Sequence, residues 1–136
     1  MQVNTYLLFG GQCEAAFKFY EQALGGKIQY LSTYGESPMP DMVPAEWRGK
    51  IMHGTLALGE QVIMASDAPP DRFKQPQGFS VAIEVSDPAE AERMFAALSE
   101  NGQVTMPMQQ TFWALRFGMV VDQFGIPWMV NCTKSS

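Results

Sequence analysis

The same order of elements runs through this chain twice: strand, helix, strand, strand, strand. Residues 3–8 (VNTYLL) read as a short strand, and Cys13, Ala16, Phe17, Tyr20 and Leu24 then fall on one face of a helix. Gly25-Gly26 ends that helix, since glycine accepts the left-handed conformation at a helix C-terminus. Residues 27–34 alternate with β-branched and aromatic side chains, and 50–58 and 61–66 read as two strands turned at Gly59-Glu60. The pattern restarts at residues 78–85, where Val81, Ile83 and Val85 oppose Ser80, Ala82 and Glu84. Asp87-Pro88-Ala89-Glu90 then opens a second helix with an Asp N-cap, Pro at the first helical position and Glu at the third. Ala91, Met94, Phe95 and Leu98 form its apolar stripe, and Asn101-Gly102 stops it. Strands at 104–109, 112–121 and 126–132 complete the second round.

This order predicts an α+β fold of two tandem βαβββ modules, 1–66 and 78–133, in one domain of 136 residues. The polar, proline-containing stretch 67–77 is the linker. A single module is too small for a good core. The expected arrangement is therefore a shared curved mixed sheet around a central cavity, with helices outside and a concave face free for a ligand. Phe19 and Gly26 are echoed at the same spacing by Phe95 and Gly102. Residues 35–49, with three prolines and little periodicity, form a loop of the length usually found in lids, interface arms or disordered segments.

Composition narrows the function classes. A formal charge of −5 and scattered Lys and Arg give no footprint for nucleic acid or an anionic membrane. No apolar run reaches the length of a membrane span, and the first residues lack the basic and apolar regions of a secretory signal. Two cysteines, Cys13 and Cys132, suit buried free thiols better than a disulfide scaffold or a zinc knuckle. The expected location is the cytoplasm.

Near the C-terminus, Asp122-Gln123-Phe124-Gly125 is a reverse turn in which Gly125 takes positive φ, between two apolar strands. Together with the duplicated modules, four motifs carry a resemblance over nearly the whole chain. They are Gly11-Gln12-Cys13-Glu14-Ala15-Ala16-Phe17-Lys18-Phe19-Tyr20, Met52-His53-Gly54, Thr111-Phe112-Trp113 and Phe124-Gly125-Ile126-Pro127-Trp128-Met129. They resemble the PhnB-like branch of the vicinal oxygen chelate superfamily, which includes glyoxalase I, extradiol dioxygenases and the bleomycin and fosfomycin resistance proteins. The resemblance implies a homodimer, with exchange of modules across the 67–77 linker as one way to form it. It also implies a metal held by about four His, Gln or Glu side chains, two from each half. Aligned on the motifs, those positions are Thr5, Met64, Ser80 and Met129, none of them a usual ligand of Zn²⁺, Ni²⁺ or Mn²⁺. The expectation is a lost metal centre and no cofactor. The branch has carried a methyltransferase label, but no glycine-rich turn links a strand to a helix as an adenosyl-cofactor site would need.

Among side chains with chemistry, His53 is the one histidine, so an imidazole base or ligand must be His53; the alternative is a histidine hydrogen-bonded in the sheet or at an interface. Glu84 shares a strand face with Ser80 and Ala82. It is either a partly desolvated general base or a strand-end carboxylate meeting water or Arg116. Arg116 either forks onto an anionic ligand or forms an ion pair. Trp113, Trp128, Tyr34 and Trp47 are candidate ring surfaces, and Met64 and Met129 would soften a pocket. Cys13 lies on a buried stripe and is a poor nucleophile. Two functions follow. One is a small-molecule binding protein whose pocket includes Thr5, Met64, Ser80, Trp113, Arg116 and Met129. The other is a metal-dependent lyase- or dioxygenase-like enzyme rebuilt around His53 and Glu84.

Overall fold

A computed structural model describes residues 1–133 as two compact units, Met1–Lys74 and the chain from Gln75 onward. Each unit is one βαβββ module with its own four-stranded mixed sheet. Among the described residues no helix is long and apolar enough to cross a membrane.

The first unit contains β1 (Thr5–Phe9), α1 (Cys13–Leu24), β2 (Lys27–Thr33), β3 (Ile51–Leu58) and β4 (Gln61–Asp67), in sheet order β1-β4-β3-β2. β1 runs parallel to β4, and the other pairs are antiparallel. The apolar stripe of α1 is buried at Cys13, Ala16, Phe17, Tyr20 and Leu24. Gly25 closes the helix at φ +74°, donating its N–H to the Glu21 carbonyl. At the other end Gln12 supplies no side-chain cap. The carboxylate of Asp67, at the end of β4, does so instead: Oδ1 accepts from the N–H groups of Gly11 and Cys13, and Oδ2 from that of Ile51. Asp67 is 1% exposed, so these three bonds offset the cost of burying its charge.

The 35–49 segment is ordered into three short 3-10 turns, Tyr34–Glu36, Pro40–Met42 and Ala45–Trp47. Thr33 and Glu36 cap the first reciprocally. The ends of the segment are drawn together where Tyr34 and Gly35 donate their N–H groups to the carbonyls of Lys50 and Arg48.

The second unit contains β5 (Val81–Val85), α2 (Pro88–Leu98), β6 (Gln103–Gln109), β7 (Ala114–Val121) and β8 (Pro127–Thr133), in order β5-β8-β7-β6. Asp87 caps α2 through the Ala89 N–H, with Pro88 at the first helical position, as the sequence requires. Gly125 has φ +88°, and the buried Asp122 carboxylate fixes its turn by accepting from Phe124 N–H, Ile126 N–H and the Trp128 indole.

Three strands start two or three residues later than the sequence reading has them. The first strand is Thr5–Phe9 rather than 3–8. β5 starts at Val81 rather than 78, after Gly78 at φ +83°. β7 starts at Ala114 rather than 112, because Thr111 Oγ1 takes the N–H groups of Trp113 and Ala114 and turns the chain there.

Candidate functional site

Strand register fixes which side chains share a face, because paired residues on adjacent strands point the same way. In the first unit a Cβ added at Gly54 would sit 3.2 Å from the Phe17 ring of α1, so Gly54 faces the helix. Its neighbours His53 and Thr55 face away. Register then places Tyr6, Met64, Thr55 and Tyr30 in one row across that face, β1 to β2, with Ser32 beside His53 in the next.

His53 is the centre of this surface. Its Nδ1 is 3.0 Å from the Tyr6 hydroxyl, the Tyr6 ring stacks on it at 5.7 Å, and the Tyr30 ring lies tilted at 6.2 Å. With the phenolic O–H as donor and Nδ1 as acceptor, a neutral His53 would carry its proton on Nε2. Tyr6 is 44% and Tyr30 53% exposed, and both present apolar ring area. Ser32 Oγ is buried with no hydrogen-bond partner.

In the second unit a Cβ added at Gly118 would meet the Phe95 ring of α2, which makes the Gly118 side the helix side. Facing away are Ala82, Met129 and Met119 in one row and Glu84, Asn131 and Phe117 in the next. Trp113 meets the edge of Phe117 at 5.4 Å, and Phe112 meets Trp113 at 4.8 Å. Asn131 Oδ1 is buried without a partner.

Measured against this geometry, Met64 and Met129 do face away from the helices, Glu84 lies beside Asn131, and Trp113 extends the Phe117 surface. Three assignments need correction. Thr5 pairs with Ile63 and shares the helix side with buried Leu7 and Phe9, so the residue that accompanies Met64 is Tyr6. Arg116 pairs with fully buried Cys132 because the register shifts between Ala114 and Arg116. It therefore points to the helix side, where its Nε meets Glu92 of α2 at 2.9 Å. Its stem runs along the sheet and its head reaches water. Arg116 is thus neither a ligand fork on the face with Phe117 nor the partner of Glu84. Ser80 lies just ahead of β5, outside the ladder, and the residue that accompanies Met129 is Ala82. Trp128 is core, and Tyr34 is buried, donating its hydroxyl to the Asp67 carbonyl at 2.6 Å.

Tyr6, Tyr30, Phe117 and Asn131 were missed. Strict alternation with Leu7 and Phe9 marked Tyr6; nothing local marked Asn131. Among the described residues no three His, Cys, Asp or Glu side chains gather in a metal-binding arrangement. Burial, then the Asp67 charge, push the Cys13 thiol well above its usual range, which removes it as a nucleophile. A cleft of about 400 Å³ beside the start of α1, lined by Gly11, Gln12, Glu14, Lys18, Lys50 and Asp67, has its charged groups engaged. Lys50 donates to the Gly11 carbonyl, and Lys18 pairs with Glu14.

Comparison with known proteins agrees with this architecture. A family model described as the Glyoxalase/Bleomycin resistance protein/Dioxygenase superfamily matches residues 2–130. The chain is 34% identical to Protein YjdN of Escherichia coli (strain K12), covering 98% of this chain and 97% of that protein. The crystal structure of protein PA1353 from Pseudomonas aeruginosa is similar at 45% identity, with a TM-score of 0.90 and 99% of each chain covered. A Bacillus cereus PhnB protein, described as a putative 3-demethylubiquinone-9 3-methyltransferase, shares the fold at 24% identity and a TM-score of 0.81. The match covers 98% of this chain and 100% of that one.

Proposed function

The chain belongs to the glyoxalase/bleomycin resistance protein/dioxygenase superfamily, and from that membership we propose that it binds a small organic molecule on the helix-free faces of its sheets without using a metal. One observation carries this reading. On the parallel edge strands the residues paired with Met64 and Met129 are Tyr6 and Ala82, so the inherited pair offers a phenol and a thioether in the first unit, and a methyl group and a thioether in the second. That donor set does not fit Zn²⁺, Ni²⁺ or Mn²⁺, which take imidazole and carboxylate. It does fit an apolar or aromatic ligand: methionines adapt to irregular shapes, and ring faces bury large areas with little conformational cost. His53 adds an Nε2–H donor held by the Tyr6 bond, which orients a ligand carrying an acceptor.

The enzyme reading built on His53 and Glu84 has less behind it. His53 Nδ1 is engaged by Tyr6, and each of the two residues lies in a different sheet with no second imidazole or carboxylate beside it in its row.

Metal content of the purified, tag-free protein, measured by mass spectrometry before and after incubation with Ni²⁺, Zn²⁺, Mn²⁺ and Fe²⁺, tests this. The expected result is no retained metal, followed by thermal-shift hits from aromatic ligands. About one tightly held metal per chain would overturn it.

A further inference from the structure

We propose that the face formed by Glu84, Asn131 and Phe117 takes an organic cation: an amine whose N–H groups bond to Glu84 and Asn131 while its apolar body lies on Phe117, Met119 and Met129. This rests on the small-molecule reading and names the chemical class of the ligand.

Three observations converge. Glu84 and Asn131 are paired across the parallel β5–β8 ladder, which sets their side chains about 4.8 Å apart on one face. Glu84 is exposed, and its carboxylate cannot donate to the amide oxygen of the residue paired with it. Asn131 Oδ1 is buried and unpartnered, an arrangement that costs about 1–3 kcal/mol if nothing ever bonds to it. Phe117 sits next to Asn131 across the β7–β8 ladder, with Trp113 edge-on to it, so ring surface borders the two oxygens.

Charge decides the sign of the ligand. Arg116, the cation on β7, points to the opposite face and is held by Glu92. Among the described residues of the rows Glu84–Asn131–Phe117–Gln109 and Ala82–Met129–Met119–Met106, Glu84 is the one charged side chain. An anionic ligand meets repulsion there, and a metal ion finds one carboxylate and one amide, too few for Ca²⁺ or Mg²⁺. A protonated amine with an apolar body meets the carboxylate, the amide oxygen and the rings together.

The test uses two probes of the same shape and opposite charge, 1-naphthylmethylamine and 1-naphthoate, titrated into the full-length ¹⁵N-labelled protein. The amine is expected to bind about fivefold more tightly, a figure set by the exposure of Glu84, and to shift the amides of Glu84, Asn131 and Phe117. Glu84→Gln is expected to abolish the discrimination, while Glu60→Gln, which changes net charge equally from an exposed turn in the first unit, leaves it intact. Asn131→Leu is expected to weaken amine binding while leaving Tm unchanged or higher, since it removes an unmet polar atom. Equal binding of both probes, discrimination that survives Glu84→Gln, or a lower Tm with unchanged amine affinity for Asn131→Leu would each overturn the proposal. Absence of binding by either probe overturns it too. If other aromatic ligands then shift the amides of Tyr6 and His53, the wider binding reading stands without it.

Discussion

The Tyr6 hydroxyl and His53 Nδ1 meet at 3.0 Å although 47 residues separate them, and the two rings stack across the intervening strand β4. The bond decides which imidazole nitrogen keeps the proton. Because His53 is the single histidine of the chain, its ring nitrogens give one unambiguous set of ¹⁵N signals. The wild-type protein at pH 8 is expected to show the Nε2–H tautomer as the dominant form, and Tyr6→Phe a mixture of the two. An Nδ1–H form dominating in the wild type would sink the assigned donor role.

Asp67 holds three backbone N–H groups in a site that excludes water. Asp67→Ala leaves all three unmet and is expected to cost about 3–5 kcal/mol, the range for breaking a buried, charge-assisted network. Asp67→Asn keeps the shape but turns one acceptor into a donor, and is expected to lose nearly as much. Urea unfolding monitored by circular dichroism measures both. A loss below about 1 kcal/mol for Asp67→Ala would show that water replaces the carboxylate.

Alkaline pH offers a separate check. The folded state holds the Cys13 thiol protonated above its ordinary range through burial and the nearby Asp67 charge, and burial raises Tyr34 as well. Both groups keep their protons in the folded state where the unfolded chain releases them. Stability is therefore constant in this respect below the unfolded thiol pKa of about 8.5 and falls above it. One fully protected thiol contributes a slope of up to about 1.4 kcal/mol per pH unit. Cys13→Ala is expected to flatten the decline between pH 9 and 10 in urea titrations, at some cost in packing. An unchanged slope would mean that the thiol ionises without unfolding.

Gly118 is expected to reject a side chain. An added Cβ would lie 2.7 Å from both Met108 Sδ and the Phe95 ring. Met108 bends, but the ring is fixed between α2 and the sheet. Gly118→Ala is expected to destabilise by about 1–3 kcal/mol through overpacking. Thermal unfolding checks this, and Phe95→Leu in the same chain is expected to recover part of the loss.

How far the sequence could be read depended on what each feature rests on. The helices were legible because their signals are local: the 3.6 period of α1 and the Asp87-Pro88 start of α2 need no knowledge of the rest of the chain. The faces of the strands were harder. Thr5 and Tyr6 are neighbours, and placing the first strand by motif alignment put the wrong one beside Met64; the alternation with buried Leu7 and Phe9 was the better guide. Arg116 stayed open between an anionic ligand and an ion pair, because its partner Glu92 lies on a helix that only the packing of the second unit brings over β7. Asn131 and Ser32 escaped notice because their interest lies in partners they lack, which depends on packing from several strands at once. Asp67 looked like the first residue of a linker, yet its carboxylate joins three distant backbone sites.

That last arrangement bears on how the chain emerges during synthesis. The N–H groups of Gly11 and Cys13 wait more than fifty residues for the carboxylate that receives them. Until Asp67 leaves the ribosome, the first helix has no side-chain cap and the start of β3 has no anchor, so a nascent first module stays open at one corner. Closure then comes as one late event, at the residue that precedes the passage into the second module.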